Sequence, residues 1–282
     1  MPRHAIVTCC DARFGDFLLR HWLVSLQANV DLSGVDVVVL DYGLDDAQRR
    51  ELGERGVRVL PCERDGVVCN LRYRDLCRLL DERDYDQILS VDGGDVIFQA
   101  DIRPLFDQHP DTFRAVAEEL QIPFHEMLIQ RSDLPPEHFS HILDFLDGKP
   151  MVNAGVVFGP AAKFREFWRF YQATSTTFDC FGMDQMLLNH VLYRDGFVDL
   201  GRRFNFVLVT SSRYSIRNGV FLDEHGEVIP VVHNAGNVES MRAVQHFGFR
   251  RANARRRWWI PFRVRLLVLS GWVAKRLARL RR

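Results

Sequence analysis

The chain has 282 residues, 47% of them hydrophobic, enough apolar material for a sizeable buried core, which excludes wholesale disorder. Lysine plus arginine and aspartate plus glutamate balance at 37 each, but from Arg250 onward there are 12 basic residues and no acid. Residues 1–249 therefore carry 25 basic against 37 acidic groups, an acidic body that repels phosphate backbones and argues against nucleic acid as a partner.

No apolar run approaches the ~18 residues of a membrane span; the longest, 266–274, has nine. The amino terminus has no apolar stretch with a small-residue cleavage site, so the expected location is cytoplasmic, with peripheral membrane association through the tail. Six cysteines without a Cys-x-x-Cys pairing point to reduced, mostly buried thiols. Cys62, Cys69 and Cys77 are too irregularly spaced for a zinc cluster.

In chain order, residues 5–9 form a short buried strand, and 16–29 have apolar residues at helical spacing. A second strand follows at 36–40, a helix at 45–55 opened by Asp45 and Asp46 and closed by Gly56, and a third strand at 57–60. A helix at 71–82 leads into a strand at 87–91. This β-α alternation predicts a mainly parallel, Rossmann-like sheet covered by helices on both faces, with ligands bound beyond the carboxyl ends of the strands. Farther on, 151–158 and 228–232 read as strands, 162–173 and 184–192 as helices, and 124–148 as an insertion over the site. A domain at 1–249 and a tail at 250–282 are expected.

The most informative segment is Ser90-Val91-Asp92-Gly93-Gly94-Asp95. A buried strand ends in two carboxylates separated by two glycines, a turn able to aim both at one point while a ligand approaches the backbone. Hard divalent cations such as Mn²⁺ or Mg²⁺ take one or two carboxylates plus substrate phosphates. His233, directly after a late apolar strand, can complete that shell. Asn153-Ala154-Gly155 opens a strand with a small polar start suited to a sugar, and Asp184-Gln185 begins a helix. An aspartate after a parallel strand also begins phosphohydrolase chemistry, but the companion aspartate two residues on is here Gly94.

In this order the segments resemble glycosyltransferase family 8, retaining nucleotide-sugar transferases of the GT-A fold. The similarity runs through Thr8 to Asp11, Arg74, Asp92 to Asp95, Asn153 to Gly155, Asp184-Gln185 and His233 to Gly236. It implies Asp92, Asp95 and His233 as metal ligands against a UDP-sugar diphosphate. It implies Thr8 and Asp11 at the nucleoside, and Arg74, Asn153 and Gly236 at the donor. Asp184 and Gln185 are implied at the sugar, with Gln185 near the reactive face of the anomeric carbon. Two departures stand out: the family has one residue between its aspartates where this chain has two, and Glu239 replaces an expected lysine, leaving Arg242 as the nearest basic residue. The expected activity is transfer of a sugar to a glycan or glycolipid acceptor, the alternative a non-catalytic nucleotide-sugar or glycan-binding protein.

In the tail, Phe262, Leu266, Leu269, Val273, Leu277 and Leu280 recur at spacings of three and four, with Arg263, Lys275, Arg276, Arg279, Arg281 and Arg282 around them and Trp258, Trp259 and Trp272 as interfacial anchors. That composition fits a helix lying on an anionic membrane surface through residues 258–282. The competing expectation is a helix packed on the domain with its arginines in water.

Overall fold

The structure is a computed structural model that describes residues 4–120, 134–175, 177–211, 213–236 and 239–280. Part of the expected insertion, 121–133, thus lies outside the described residues. The rest of it, 134–148, contains a helix at Pro136–Leu146 with Ile142 and Leu146 buried.

The central sheet has seven strands: β1 (His4–Cys10), β2 (Val35–Asp41), β3 (Arg58–Pro61), β4 (Gln87–Val91), β6 (Arg114–Ala115), β7 (Val156–Pro160) and β8 (Val198–Asp199). Their order is β3-β2-β1-β4-β7-β6-β8. The β-branched run of β2 pairs in parallel with β1 along its whole length, and β1 also pairs in parallel with β4. Alternation along the strands feeds two cores. Ala5, Val7 and Ile88 belong to one, whereas Ile6, Cys10, Leu89 and Val91 belong to the other. Helices predicted from periodicity occur at Asp46–Glu54, Val68–Glu82, Ala161–Thr174 and Met183–Asp195. The first of these starts with a capping box between Asp45 and Gln48, as the acidic start predicts. The predicted helix at 16–29 is interrupted by a π-helical turn at Leu18–Trp22.

The sheet is mixed rather than parallel throughout, because β7 runs antiparallel to both β4 and β6. The chain leaves β1 toward β2 and β3 on one side, then returns to place β4 on the other. The carboxyl ends of β1 and β4 therefore flank a topological switch point, where ligands bind in open α/β sheets.

A second, three-stranded sheet completes the site. β5 (Val96–Phe98) leaves the main sheet and pairs antiparallel with β12 (Val231–His233), which also pairs with β9 (Phe206–Val207). The late strand expected at 228–232 thus exists, shifted toward His233, but in this small sheet. Two hairpins lie nearby, β10 (Tyr214–Arg217) with β11 (Val220–Asp223), and β13 (Val244–Gln245) with β14 (Arg255–Arg256). The expected domain boundary at 249/250 falls inside the second hairpin, so the tail begins as part of the body. No disulfide joins any of the six cysteines.

The tail helix, Trp259–Leu280, has two apolar faces. Ile260, Val264 and Val268 are buried, and Val264 and Val268 join the larger core with Trp272 packed against it. The stripe read from the sequence is on roughly the opposite face, where Phe262, Leu266, Leu269, Val273 and Leu277 are all exposed. The side chains of Lys275, Arg279 and Leu280, and residues Arg281 and Arg282, lie outside the described residues. No helix among the described residues is long and apolar enough to cross a membrane.

Candidate metal and sugar site

Three local features bring the acidic turn and His233 together. Asp92 closes β4 with its N–H donating to the Gly155 carbonyl at 2.9 Å, and the Asn234 N–H donates to the Asp95 carbonyl at 2.9 Å. Val96 faces His233 across the small sheet. His233 Nε2 then lies 3.3 Å from Asp95 Oδ1 and 3.7 Å from Asp92 Oδ2, and one ligand atom from each residue falls within 4.8 Å of the others.

Gly155 makes this convergence possible. A Cβ there would stand 2.4 Å from His233 Cε1 and 2.7 Å from Asp92 Oδ2. The turn glycines serve a different purpose from the expected ligand approach: a Cβ on Gly93 would meet Thr8 Oγ1 at 2.5 Å, and one on Gly94 the Phe14 ring at 3.0 Å. The chain's own side chains fill that space.

The donor set fits a hard divalent cation. His233 Nδ1 is 3.0 Å from Asn205 Oδ1, and an amide oxygen can only accept, so Nδ1 carries the proton and Nε2 faces the carboxylates as a potential ligand. Burial alone lowers the His233 imidazole, but Asp95, Asp92 and Glu118 override it and hold its pKa above the ordinary value. Burial raises the Asp95 carboxyl, and His233 with Arg242 more than reverses this, leaving it below the usual range.

Both aspartates already have arginine partners. Arg72, 5% exposed, donates to Asp92 Oδ1 at 2.6 Å, to Asp184 Oδ2 at 2.9 Å and to the Ala154 carbonyl at 3.2 Å. Arg242 reaches Asp95 Oδ2 at 3.4 Å and donates to the Gly236 carbonyl at 3.2 Å.

These groups line a cleft of about 790 Å³ that also contains Asn153, Gln185, Gly236, Glu118, Met151 and Val264. Gln185 Oε1 accepts from the Ala154 N–H at 3.2 Å, and Asn189 pins the same segment by bonding both the N–H and the carbonyl of Val152. The Asn-Ala-Gly start of β7 and the Asp-Gln helix start are therefore one unit. Phe181 and Met241 are exposed apolar residues among the lining.

Three expected residues do not line this cleft. Thr8 is buried beneath Gly93. Asp11 caps the helix at Ala12–Phe17 and pairs with Arg64 at 2.9 Å. Arg74 turns away to Asp65 and Asp75, and the buried arginine of this helix at the site is Arg72, two residues earlier. The helical phase explains the difference between the two arginines: Arg72 shares a face with Leu76, Leu79 and Leu80 at +4, +7 and +8, all buried. Asn205 and Glu118 also belong to the site, but nothing in their sequence surroundings marks them.

No family model and no curated protein sequence matches the chain. Solved structures do. The galactosyltransferase LgtC, in complex with donor and acceptor sugar analogues, is 20% identical with a TM-score of 0.55, over 94% of this chain and 95% of that one. The bifunctional glycosyltransferase WbbM is 16% identical with a TM-score of 0.57, over 85% of this chain and 47% of its own. The glycosyltransferase GlyE from Streptococcus pneumoniae TIGR4, in its apo form, is 16% identical with a TM-score of 0.51, over 98% and 64%. The chain has the GT-A fold these glycosyltransferases share.

Proposed function

We propose that the protein is a metal-dependent glycosyltransferase that moves a hexose from a nucleotide sugar, a UDP-sugar, to a glycan or lipid-linked acceptor with retention of configuration. The observation that carries this reading is the Asp92, Asp95 and His233 cluster at the switch point of a GT-A sheet, inside a sugar-sized cleft. LgtC, a structure of similar fold, was crystallised with donor and acceptor sugar analogues, and a second LgtC structure carries an active-site glutamine-to-glutamate substitution. These lend support to a donor site here and to Gln185 as a residue facing the reacting sugar.

Mn²⁺ or Mg²⁺ held by Asp92, Asp95 and His233 would neutralise charge building on the leaving diphosphate. Asn205 keeps His233 in the ligating tautomer. Arg72 holds Asp184 and Asp92 in fixed directions, so that Asp184 contacts the donor sugar as an ion-paired acceptor. Gln185 accepts from the Ala154 N–H through Oε1 and donates through Nε2 to Met151 Sδ, which holds it in the cleft lining, where its amide oxygen would favour positive charge developing at the anomeric carbon. Thr8 and Asp11, at the end of β1, belong to the nucleoside side of the same switch point, although Asp11 must then release Arg64 or share it.

The exposed stripe of the tail helix, with Trp258 and Trp259 at its start and arginines along it, supports a second element of the proposal: docking on an anionic membrane surface. A reading without turnover, as a nucleotide-sugar or glycan-binding protein, is favoured by one feature, the arginine already paired with each aspartate. Turnover separates the two. The wild type is expected to hydrolyse UDP-glucose or UDP-galactose slowly with Mn²⁺, and EDTA or Asp95→Ala to abolish this with little change in melting temperature. Activity that survives both would eliminate the metal assignment. Mn²⁺-dependent UDP binding without any turnover would favour the binding protein.

A further inference from the structure

Two hairpins at the start of the tail carry a concentration of arginine that the proposed reaction leaves unused. The β10–β11 hairpin turns at Asn218-Gly219, with φ of 51° and 78°, the left-handed pair that suits the twist of a two-residue hairpin. Its tip rests on the backbone of the second hairpin: a Cβ on Gly219 would stand 2.5 Å from the Arg250 carbonyl carbon and 2.6 Å from the Arg251 nitrogen. Farther along, the Arg256 guanidinium lies over the Tyr214 ring at 4.5 Å. These contacts gather Arg217, Arg250, Arg251, Arg255 and Arg256 onto one region of the surface, where all are exposed. Arg250 itself sits at φ 53°, a conformation that glycine or asparagine adopts more readily, so the backbone does not ask for an arginine there.

No carboxylate answers this charge. From Arg250 onward the chain has no acid, and Arg217, Arg250, Arg251 and Arg255 make no ion pair among the described residues. On the rest of the body, Arg20, Arg49 and Arg64 each pair with an acid.

What adjoins the patch selects its partner. Only Arg257 and Trp258 separate β14 from the tail helix, so the patch continues into the exposed stripe. Trp258 and Trp259, 71% and 49% exposed, stand edge to face at the junction. At about 3.6 residues per turn, Arg263 falls on one flank of the stripe and Arg265 and Arg276 on the other. A soluble polyanion would meet the arginines and leave the stripe and both tryptophans in water. A bilayer with anionic headgroups satisfies both, phosphates against guanidiniums and the acyl boundary against the apolar row.

We propose that the arginines of the two hairpins bind the phosphate headgroups of an anionic membrane and form, with the outer face of the tail helix, a single docking surface. This rests on the membrane element of the proposed function, which it extends from the tail helix into the body. The inner face of the same helix places Val264 in the cleft lining, so the docked membrane lies about one helix diameter, roughly 10 Å, from the cleft wall.

The test is sedimentation with phosphatidylcholine vesicles, with and without phosphatidylserine, at physiological ionic strength. The wild type is compared with Arg217→Gln/Arg250→Asn/Arg255→Gln, whose asparagine suits the left-handed position; an unchanged urea midpoint checks that the fold is kept. Each arginine near an anionic surface is worth about fivefold in affinity, so the triple variant should bind phosphatidylserine vesicles on the order of a hundredfold more weakly. Arg50→Gln/Arg83→Gln/Arg169→Gln removes the same charge from exposed positions elsewhere on the body. With a Debye length of about 8 Å, it should bind within about twofold of wild type. No loss in the first triple variant, or an equal loss in the second, overturns the inference; if Leu266→Glu/Leu269→Glu still releases the protein, docking by the tail alone survives. Binding to a double-stranded DNA oligonucleotide that the first variant loses, with vesicle binding unchanged, assigns the patch to nucleic acid and also overturns it. Absence of vesicle binding by the wild type overturns both membrane proposals. Mn²⁺-dependent UDP-sugar hydrolysis is expected to be equal in all these proteins, so a failure of the glycosyltransferase reading shows separately.

Discussion

Replacing Arg72 tests whether the site is held together by charge pairing inside the fold. Arg72 is buried and serves three acceptors, but these are unequal. The Asp184 side chain is 4% exposed, whereas that of Asp92 is 35% exposed. In Arg72→Met the apolar stem is kept, the Ala154 carbonyl loses one bond, and Asp184 becomes a buried carboxylate without its cation. Breaking a buried pair from one side costs about 3–5 kcal/mol, while the half-open Asp92 pair adds at most about 1 kcal/mol. For a domain of this size the melting temperature should fall by roughly 10 °C. Arg72→Met/Asp184→Asn removes the stranded charge, and should recover about 2–3 kcal/mol relative to the single variant. Arg74→Met should cost only about 1 kcal/mol, because Asp75 retains the Tyr42 hydroxyl at 2.6 Å and Arg78 at 3.5 Å. Urea unfolding of the four proteins measures all of this. If Arg72→Met and Arg74→Met lose similar stability, or Asp184→Asn recovers nothing, the pairing does not hold the site and the reasoning is wrong.

Two further outcomes are expected. Deleting residues 258–282 should destabilise the body by several kcal/mol, at about 1.5–3 kcal/mol for each fully buried aliphatic side chain, because Ile260, Val264 and Val268 pack on it. Leu266→Glu/Leu269→Glu should leave stability unchanged and reduce sedimentation with anionic vesicles at low salt; unchanged sedimentation would remove the membrane proposal. Burial, helped by Arg251, lowers His21 from 6.5 to about 4. Its neutral form is therefore favoured by folding, and this stability is complete above pH 6.5 and lost as pH falls through 4. After allowance for the half-open ring, the loss is on the order of 1 kcal/mol. His21→Gln should flatten the urea midpoint between pH 7 and 4.5, and an identical slope in both proteins would contradict the assignment.

Much of the fold was legible because buried strands and amphipathic helices repeat their physics locally. The runs before Asp92 and His233 are apolar on both sides, so each residue could be placed at a strand's end from sequence alone. Pairing direction is not a local property, and the antiparallel entry of β7 had no signature in the Asn153 to Phe158 stretch. Arg72 was passed over because the family resemblance pointed to Arg74; its helical phase with Leu76, Leu79 and Leu80 was in the sequence and pointed inward. The second apolar face of the tail, Ile260, Val264 and Val268, was likewise present at a spacing of four, but hidden by the stronger stripe beside it. Asn205 and Glu118 reach the site through long-range packing, which no window of sequence contains.

The charges within the cleft bear on why a metal should be needed at all. Asp92, Asp95 and Asp184 face two guanidiniums, Arg72 and Arg242, so the acids outnumber the fixed cations. Against burial, Asp95 first and then Asp92 hold the His233 pKa above its ordinary value. A diphosphate entering such a cleft meets little net positive charge and several carboxylates. A divalent cation held by Asp92, Asp95 and His233 would change the sign by supplying positive charge at these ligands, with Arg242, held by the Gly236 carbonyl, as a further cation beside them. Arg242 alone is one charge against the two or more of a diphosphate, so on the proposed reading it would assist binding there without replacing a metal. The EDTA experiment is therefore the sharper half of the activity test, since on the proposed reading the metal would supply the positive charge that these residues lack.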